Sequence, residues 1–156
     1  MKSLRRLLTA MLAPQLASLI GASVTLSGDG SWYATLEKPI FNPPSWVFGP
    51  VWTVLYVFMG VASYLVWRNS TSPWYSRTMT WYWMQLTLNA MWSPAFFGLQ
   101  SPLLGLIVIV PLCVLVGICV YAFWLRSTIA SLLMLPYGLW LCYATVLNAS
   151  IFWLNR

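Results

Sequence analysis

The side chains with most chemistry to offer in this chain are aromatic. Its 156 residues include 11 Trp, 8 Tyr and 7 Phe. Indole and phenol rings stack on flat π-systems, adding about 0.5–1.5 kcal/mol per ring pair beyond area burial. An indole can also be oxidised. Trp and Tyr near the ends of membrane helices usually anchor the interface. That accounts for Trp46, Trp67, Trp74, Trp81, Trp83, Trp124 and Trp153. Trp140 fits less well, because it lies deep inside its apolar run. The depth of Trp52 depends on where its helix begins.

The rest of the inventory excludes much. There is no His, so there is no His-ligated zinc or haem and no Ser-His-Asp triad; no metal site is expected. Asp29 and Glu37 are the two acids, and both lie outside the apolar runs. No buried carboxylate pair is available for a proton relay or glycoside hydrolysis. Cys113, Cys119 and Cys142 all sit within apolar runs, where thiols are usually inert. The net charge of +6 comes from Lys2, Arg5, Arg6, Lys38, Arg68, Arg77, Arg126 and Arg156. Each stands at or beyond the end of an apolar run. That is a topology pattern rather than a nucleic-acid footprint.

These side chains need elements to position them. Sixty per cent of residues are hydrophobic and 6% charged, against about 25% charged in a soluble domain. The chain reads as an all-α integral membrane protein, a single five-helix transmembrane domain over residues 1–156. Apolar runs predict spans at about 7–27, 46–67, 79–99, 103–125 and 129–154. Pro14 is expected to bend the first. The long polar connection GDGSWYATLEKPIFNPPS (28–45) carries Trp32, Tyr33 and Phe41, which argue for a structured loop. Ser31 can cap a short helix over Trp32 to Glu37, and Pro39 should stop it. Gly49-Pro50 opens the second span, or lies inside a helix that starts at Ser45. Ser101-Pro102 makes the third and fourth spans antiparallel neighbours. The positive-inside rule places the N-terminus inside and the long loop outside, in a bacterial cell membrane.

Polarity sorts the spans. The fourth is almost wholly aliphatic and is expected to face lipid. On the third, Gln85, Asn89 and Ser93 are spaced four apart and Phe96 continues their face. Unpaired amides and hydroxyls cost several kcal/mol in hydrocarbon, so this face turns inward. Trp52, Tyr56, Gly60 and Ser63 share a face of the second span. Pro136, Trp140, Ala144, Leu147 or Asn148, and Ile151 share one of the fifth. Ala13, Ala17, Gly21 and Thr25 make a small-residue stripe on the first. That stripe and the Ala95–Gly98 pair are candidate dimer contacts.

Three blocks carry a resemblance. WYATLEKPIFNPPSWVFGPVWTVLY (32–56) resembles the first-loop and second-helix signature of the translocator protein family, also called tryptophan-rich sensory proteins or peripheral benzodiazepine receptors. QLTLNAMWSPAFFG (85–98) and LPYGLWLCYATVLN (135–148) are similar to that family's third and fifth helices. With the order of spans, the resemblance covers essentially the whole chain.

The resemblance implies a five-helix bundle, usually a homodimer, that binds porphyrins, certain synthetic drugs and, in some members, cholesterol. It implies no further cofactor. The implied pocket lies under the first loop and comprises Tyr33, Pro43, Trp52, Tyr56, Asn89, Phe96, Trp140, Ala144 and Leu147. Lys38 is a candidate rim charge for a porphyrin propionate. Some relatives link the tryptophans matching Trp52 and Trp140 to light- and oxygen-dependent porphyrin breakdown, which makes these two the catalytic candidates on that alternative. A third reading is a tetrapyrrole or sterol transporter, but no inverted repeat or intramembrane charge supports coupled transport. The family's sterol motif is degenerate here, Leu147, Phe152 and Arg156, with Phe where Tyr is expected.

Overall fold

The structure is a computed structural model that describes residues 2–25, 30–68 and 74–156. Within these residues the regular structure is helical: α1 Lys2–Val24, α2 Trp32–Thr35, α3 Ser45–Arg68, α4 Trp74–Ser93, a π-helical turn Pro94–Gly98, α5 Pro102–Trp124 and α6 Thr128–Leu154. Serines set several starts. The side chains of Ser31, Ser101 and Ser127 accept from the backbone N–H groups of Ala34, Leu104 and Ala130, satisfying donors that a helix start leaves orphaned.

Boundaries differ from expectation where backbone chemistry intervenes. The first helix begins at Lys2, so Arg5 and Arg6 lie inside it. The second starts at Ser45 and carries Pro50 within it. The third starts at Trp74, ahead of the expected Met79, and is no continuous α-helix to 99. Pro94 has no N–H to give the preceding turn. The chain widens there, and the Leu99 and Ser101 N–H groups donate to the carbonyls of Pro94 and Phe96 at 2.9 and 3.0 Å. Gln100 then takes a left-handed φ of 50°, which reverses the chain into α5. The short α2 ends at Thr35 rather than Glu37. Pro73 of the link after α3 lies outside the described residues.

α1, α3, α6, α5 and α4 pack in that order into a closed ring, with a smaller contact between α3 and α4. α1, α3, α5 and α6 are long and apolar enough to cross a membrane. α4 has 20 residues, about 30 Å of helix, but is more polar. Small residues set the closest approaches. A Cβ on Gly60 would lie 3.2 Å from the Ala10 carbonyl oxygen, and one on Gly21 would lie 3.3 Å from Ser93 Oγ. The small-residue stripe of α1 is therefore used inside the bundle, against α3 and α4.

Two faces are corrected. α5 is not simply a lipid-facing helix. Gly105, Ile109, Leu112, Val116, Cys119 and Phe123 form a buried stripe along it, packed on α4 and α6. On α6 the buried face runs through Ala130, Met134, Tyr137, Leu141, Ala144 and Asn148. The expected face holds at Ala144, Leu147, Asn148 and Ile151, which are buried, but not at Pro136, which is exposed, or Trp140, which is half-buried; there Met134, Tyr137 and Leu141 take the interior.

At the end where α3 finishes, the ring is filled solid. Met59, Tyr82, Phe123 and Met134 are wholly buried, and the Tyr82 and Phe123 rings stack at 5.9 Å and 25°. Arg6 Nη1 reaches the Trp67 carbonyl at 3.4 Å. The start of α1 and the end of α3 thus share this end.

Candidate ligand cavity

At the other end the ring encloses a cavity of about 370 Å³. Small-molecule sites typically span roughly 300–1,000 Å³ and are largely apolar with a few placed polar groups. All five long helices reach this cavity: α1 with Ser18, Gly21 and Ala22 and, just past its end, Thr25, α3 with Phe48, Trp52 and Tyr56, α4 with Asn89, Trp92 and Ser93, α5 with Ile109 and Leu112, and α6 with Leu141 and Ala144. Gly21, Ala22 and Ala144 leave the space that bulkier side chains would fill.

The aromatic wall is ordered. Trp52 stacks on Tyr56 at 5.3 Å and 28° and meets Tyr137 edge-on at 6.1 Å. Beneath it runs a chain of buried polar groups. The Tyr56 hydroxyl donates to Asn89 Oδ1 at 2.6 Å. Asn89 Nδ2 donates to the Tyr137 hydroxyl at 2.9 Å. Tyr137 in turn donates to Gln85 Oε1 at 3.0 Å. Among the described residues, Gln85 Nε2 is the buried side-chain atom left without a partner. A network of this kind fixes its members because each unpaired group would cost about 1–3 kcal/mol. It holds the Tyr56 ring against Trp52 and the Asn89 amide at the cavity wall.

Residues 30–44, ahead of α3, form the roof. Tyr33 is buried on Phe96 and Phe97 at 6.2 and 5.4 Å, and its hydroxyl donates to Asn42 Oδ1 at 2.8 Å. Burial raises the Tyr33 pKa above the ordinary 10.0, partly offset by the Asn42 hydrogen bond. The phenol therefore stays protonated and keeps donating. Two latches tie the roof to α6. Tyr143 donates to the Phe41 carbonyl at 2.7 Å. Asn155 accepts from the Glu37 N–H and donates to the Glu37 carbonyl, both at 2.9 Å.

Of the residues expected at the pocket, Tyr33, Trp52, Tyr56, Asn89 and Ala144 line this cavity. Phe96 and Leu147 lie in an adjoining packed cluster with Tyr33 and Ile151. Trp92 stacks on Phe96 at 5.4 Å and 24°, so Phe96 supports the wall from behind. Trp140 stands outside the lining, against Phe48 at 6.1 Å and Tyr143 at 5.4 Å. Pro43 is also outside it, its carbonyl accepting from Asn42 Nδ2 at 3.1 Å. Lys38 is not a free rim charge. Its ammonium donates to the carbonyls of Leu36 and Ala34 at 2.9 and 3.3 Å and sits 4.9 Å from the Tyr33 ring. Of the degenerate sterol motif, Leu147 is buried, Phe152 is half-buried and Arg156 is exposed. Arg156 lies on the Trp153 ring, 3.0 Å from its centroid.

Sequence reasoning missed Tyr137, Phe48, Trp92 and Ser18. Tyr137 had a readable signal, the three-and-four spacing that joins it to Met134, Leu141 and Ala144. Among the described residues no cluster of His, Cys, Asp and Glu can hold a metal ion.

Comparison with known proteins agrees with this architecture. The profile of the TspO/MBR family matches residues 10–154. A tryptophan-rich protein TspO of Archaeoglobus fulgidus is 41% identical over 96% of this chain and 97% of its own. The human translocator protein is 37% identical over 88% of this chain and 82% of its own. A tryptophan-rich sensory protein of Cereibacter sphaeroides is 36% identical over 80% and 77%.

Proposed function

Taking as premise that the chain belongs to the TspO/MBR family, and is thus a multi-pass membrane protein of a receptor and sensor family, we propose that it binds porphyrins of the protoporphyrin IX type, and related flat apolar ligands, in the cavity under the roof. The observation that carries this reading is the Trp52–Tyr56 stack at a partly open, mostly apolar cavity. A tetrapyrrole is a flat aromatic disc, and a pair of fixed rings offers it a face at little further ordering cost. The porphyrin is a ligand, held by stacking and shape. With no His in the chain, a metal-free ring suits the site better than haem.

On this reading α4 crosses the bilayer as the fifth span, with the roof on the outer side of a bacterial cell membrane and the N-terminus inside. Six basic residues then lie on the inner segments and two on the outer, as the positive-inside rule prefers. The protein works as a homodimer through a face other than the α1 stripe, because that stripe is occupied within the bundle.

Binding is favoured over oxidative breakdown by the placement of the indoles. Trp52 lines the cavity, while Trp140 stands outside it against Phe48. Titration of purified protein with protoporphyrin in the dark should quench Trp emission. Trp52→Ala should weaken binding at least tenfold, about 1.4 kcal/mol. Unchanged affinity in that variant discards the cavity as the porphyrin site. Product formed under light and oxygen at a rate that falls in Trp52→Phe would move the reading to a degrading enzyme.

A further inference from the structure

Apart from Ser45 at the start of α3, which has a partner of its own, the cavity's hydroxyl groups fall into two sets. Thr25 and Thr53 donate to the carbonyls four residues back, Gly21 and Gly49, at 2.7 and 2.9 Å. Tyr33 and Tyr56 donate to Asn42 and Asn89. These protons are spent. Ser18 and Ser93 also line the cavity, and neither hydroxyl finds a hydrogen-bond partner among the described residues. The usual fate of a helical serine is a bond to a preceding carbonyl. Ser93 makes no side-chain cap either, although it stands at the junction of α4 and the π-helical turn. The two belong to one seam. Ser18 lies one turn before Gly21 on α1, and Ser93 Oγ lies against Gly21 from α4. Both serines are half-buried and line the cavity, so each hydroxyl faces accessible space where a ligand acceptor can reach it.

We propose that Ser18 and Ser93 form a donor subsite for a neutral carbonyl oxygen, of ester, amide or un-ionised carboxyl type, on a ligand stacked against Trp52. The preference for a neutral acceptor follows from charge. No Lys or Arg lines the cavity, and Lys38 is held over Tyr33 by two backbone carbonyls. A carboxylate taken this deep would lack a counter-charge, which is costly. A carbonyl needs only the donors that are present. Ionised propionates would stay toward the roof.

The inference rests on the cavity reading above, and the experiment separates the two. The full-length protein is titrated in the dark with protoporphyrin IX dimethyl ester and with an octaalkyl porphyrin that has no carbonyl. Ser18→Ala/Ser93→Ala, a change of little volume, should weaken the ester about tenfold, in keeping with the loss of one to two hydrogen bonds. It should leave the octaalkyl porphyrin within twofold. An unchanged ester affinity overturns the subsite. So does an equal loss for both porphyrins, which would show a packing effect. In either case Trp52→Ala still weakens both ligands if the cavity reading holds. If Trp52→Ala changes neither, the cavity reading fails and the subsite with it.

Discussion

At the closed end of the ring, Met59, Tyr82, Phe123 and Met134 interlock with no exposed surface. At the roofed end, Phe48, Trp52, Tyr56 and Trp92 surround about 370 Å³ of space. Both ends are rich in aromatics, so composition does not separate them. What differs is what each large ring faces. Tyr82 and Phe123 stack on one another between the adjacent helices α4 and α5 and fill the space there. Trp52 stacks along its own helix on Tyr56 and looks toward Gly21, Ala22 and Ala144. A cavity here is the product of small residues set opposite aromatic ones, with a polar chain underneath to keep the rings from collapsing inward.

Three substitutions would break or sharpen this contrast. The largest effect is expected at the closed end. Tyr82→Ala should cost about 3–5 kcal/mol, the range for emptying a buried aromatic site, read as a fall in thermal or denaturant midpoint. Porphyrin affinity of the folded fraction should stay within twofold, because Tyr82 does not line the cavity. A matching loss of affinity would show that the two ends are not independent.

Asn89→Leu comes next and acts on both properties. It strands the Tyr56 hydroxyl, at about 1–3 kcal/mol of stability, removes the donor to Tyr137, which keeps its bond to Gln85, and frees Tyr56 from its place on Trp52. Stability and affinity should fall together. A loss of stability without loss of affinity would show that the polar chain holds the bundle but not the wall.

Trp140→Phe should do least. It keeps an aromatic ring against Phe48 and Tyr143 and leaves the cavity lining intact, so dark porphyrin affinity should change less than twofold. A tenfold loss would place Trp140 in the bound state's wall and put Phe48 in motion on binding.

The starts of α3, α5 and α6 were legible in the sequence to within one residue, because prolines and long apolar runs are local signals. The Ser31 cap was read from its place before Trp32, while the caps at Ser101 and Ser127 emerge from the structure. The inner faces of α3 and α4 were legible for a different reason. Gln85, Asn89, Tyr56 and Ser63 are polar groups that hydrocarbon forces inward. Where that signal was weak the reading slipped. α5 carries Leu, Ile and Val all round, so nothing in its pattern marks the stripe from Gly105 to Phe123; its neighbours choose it. On α6, Tyr137 and Trp140 are both aromatic and less than one turn apart. Only their partners, Asn89 and Gln85 for one and Phe48 for the other, decide which points inward. Lys38 shows the limit for charge. A lone lysine beside a candidate pocket suggests a free cation, but two carbonyls of its own loop and the Tyr33 ring take it up.

The Asn155 latch has a consequence for how the protein is made. Asn155 and Glu37 are 118 residues apart, and Tyr143 and Phe41 are 102 apart. At about 5–20 residues per second, synthesis takes roughly 6–24 s to run from one half of the Asn155 latch to the other. For most of that interval, until Tyr143 is made, the roof has neither of its fastenings to α6. The cavity is born open and shuts only when the last helix arrives, so a ligand present during biogenesis meets an unroofed site. Anything that holds back the end of α6, including a bulky fusion placed there, would prolong that open state.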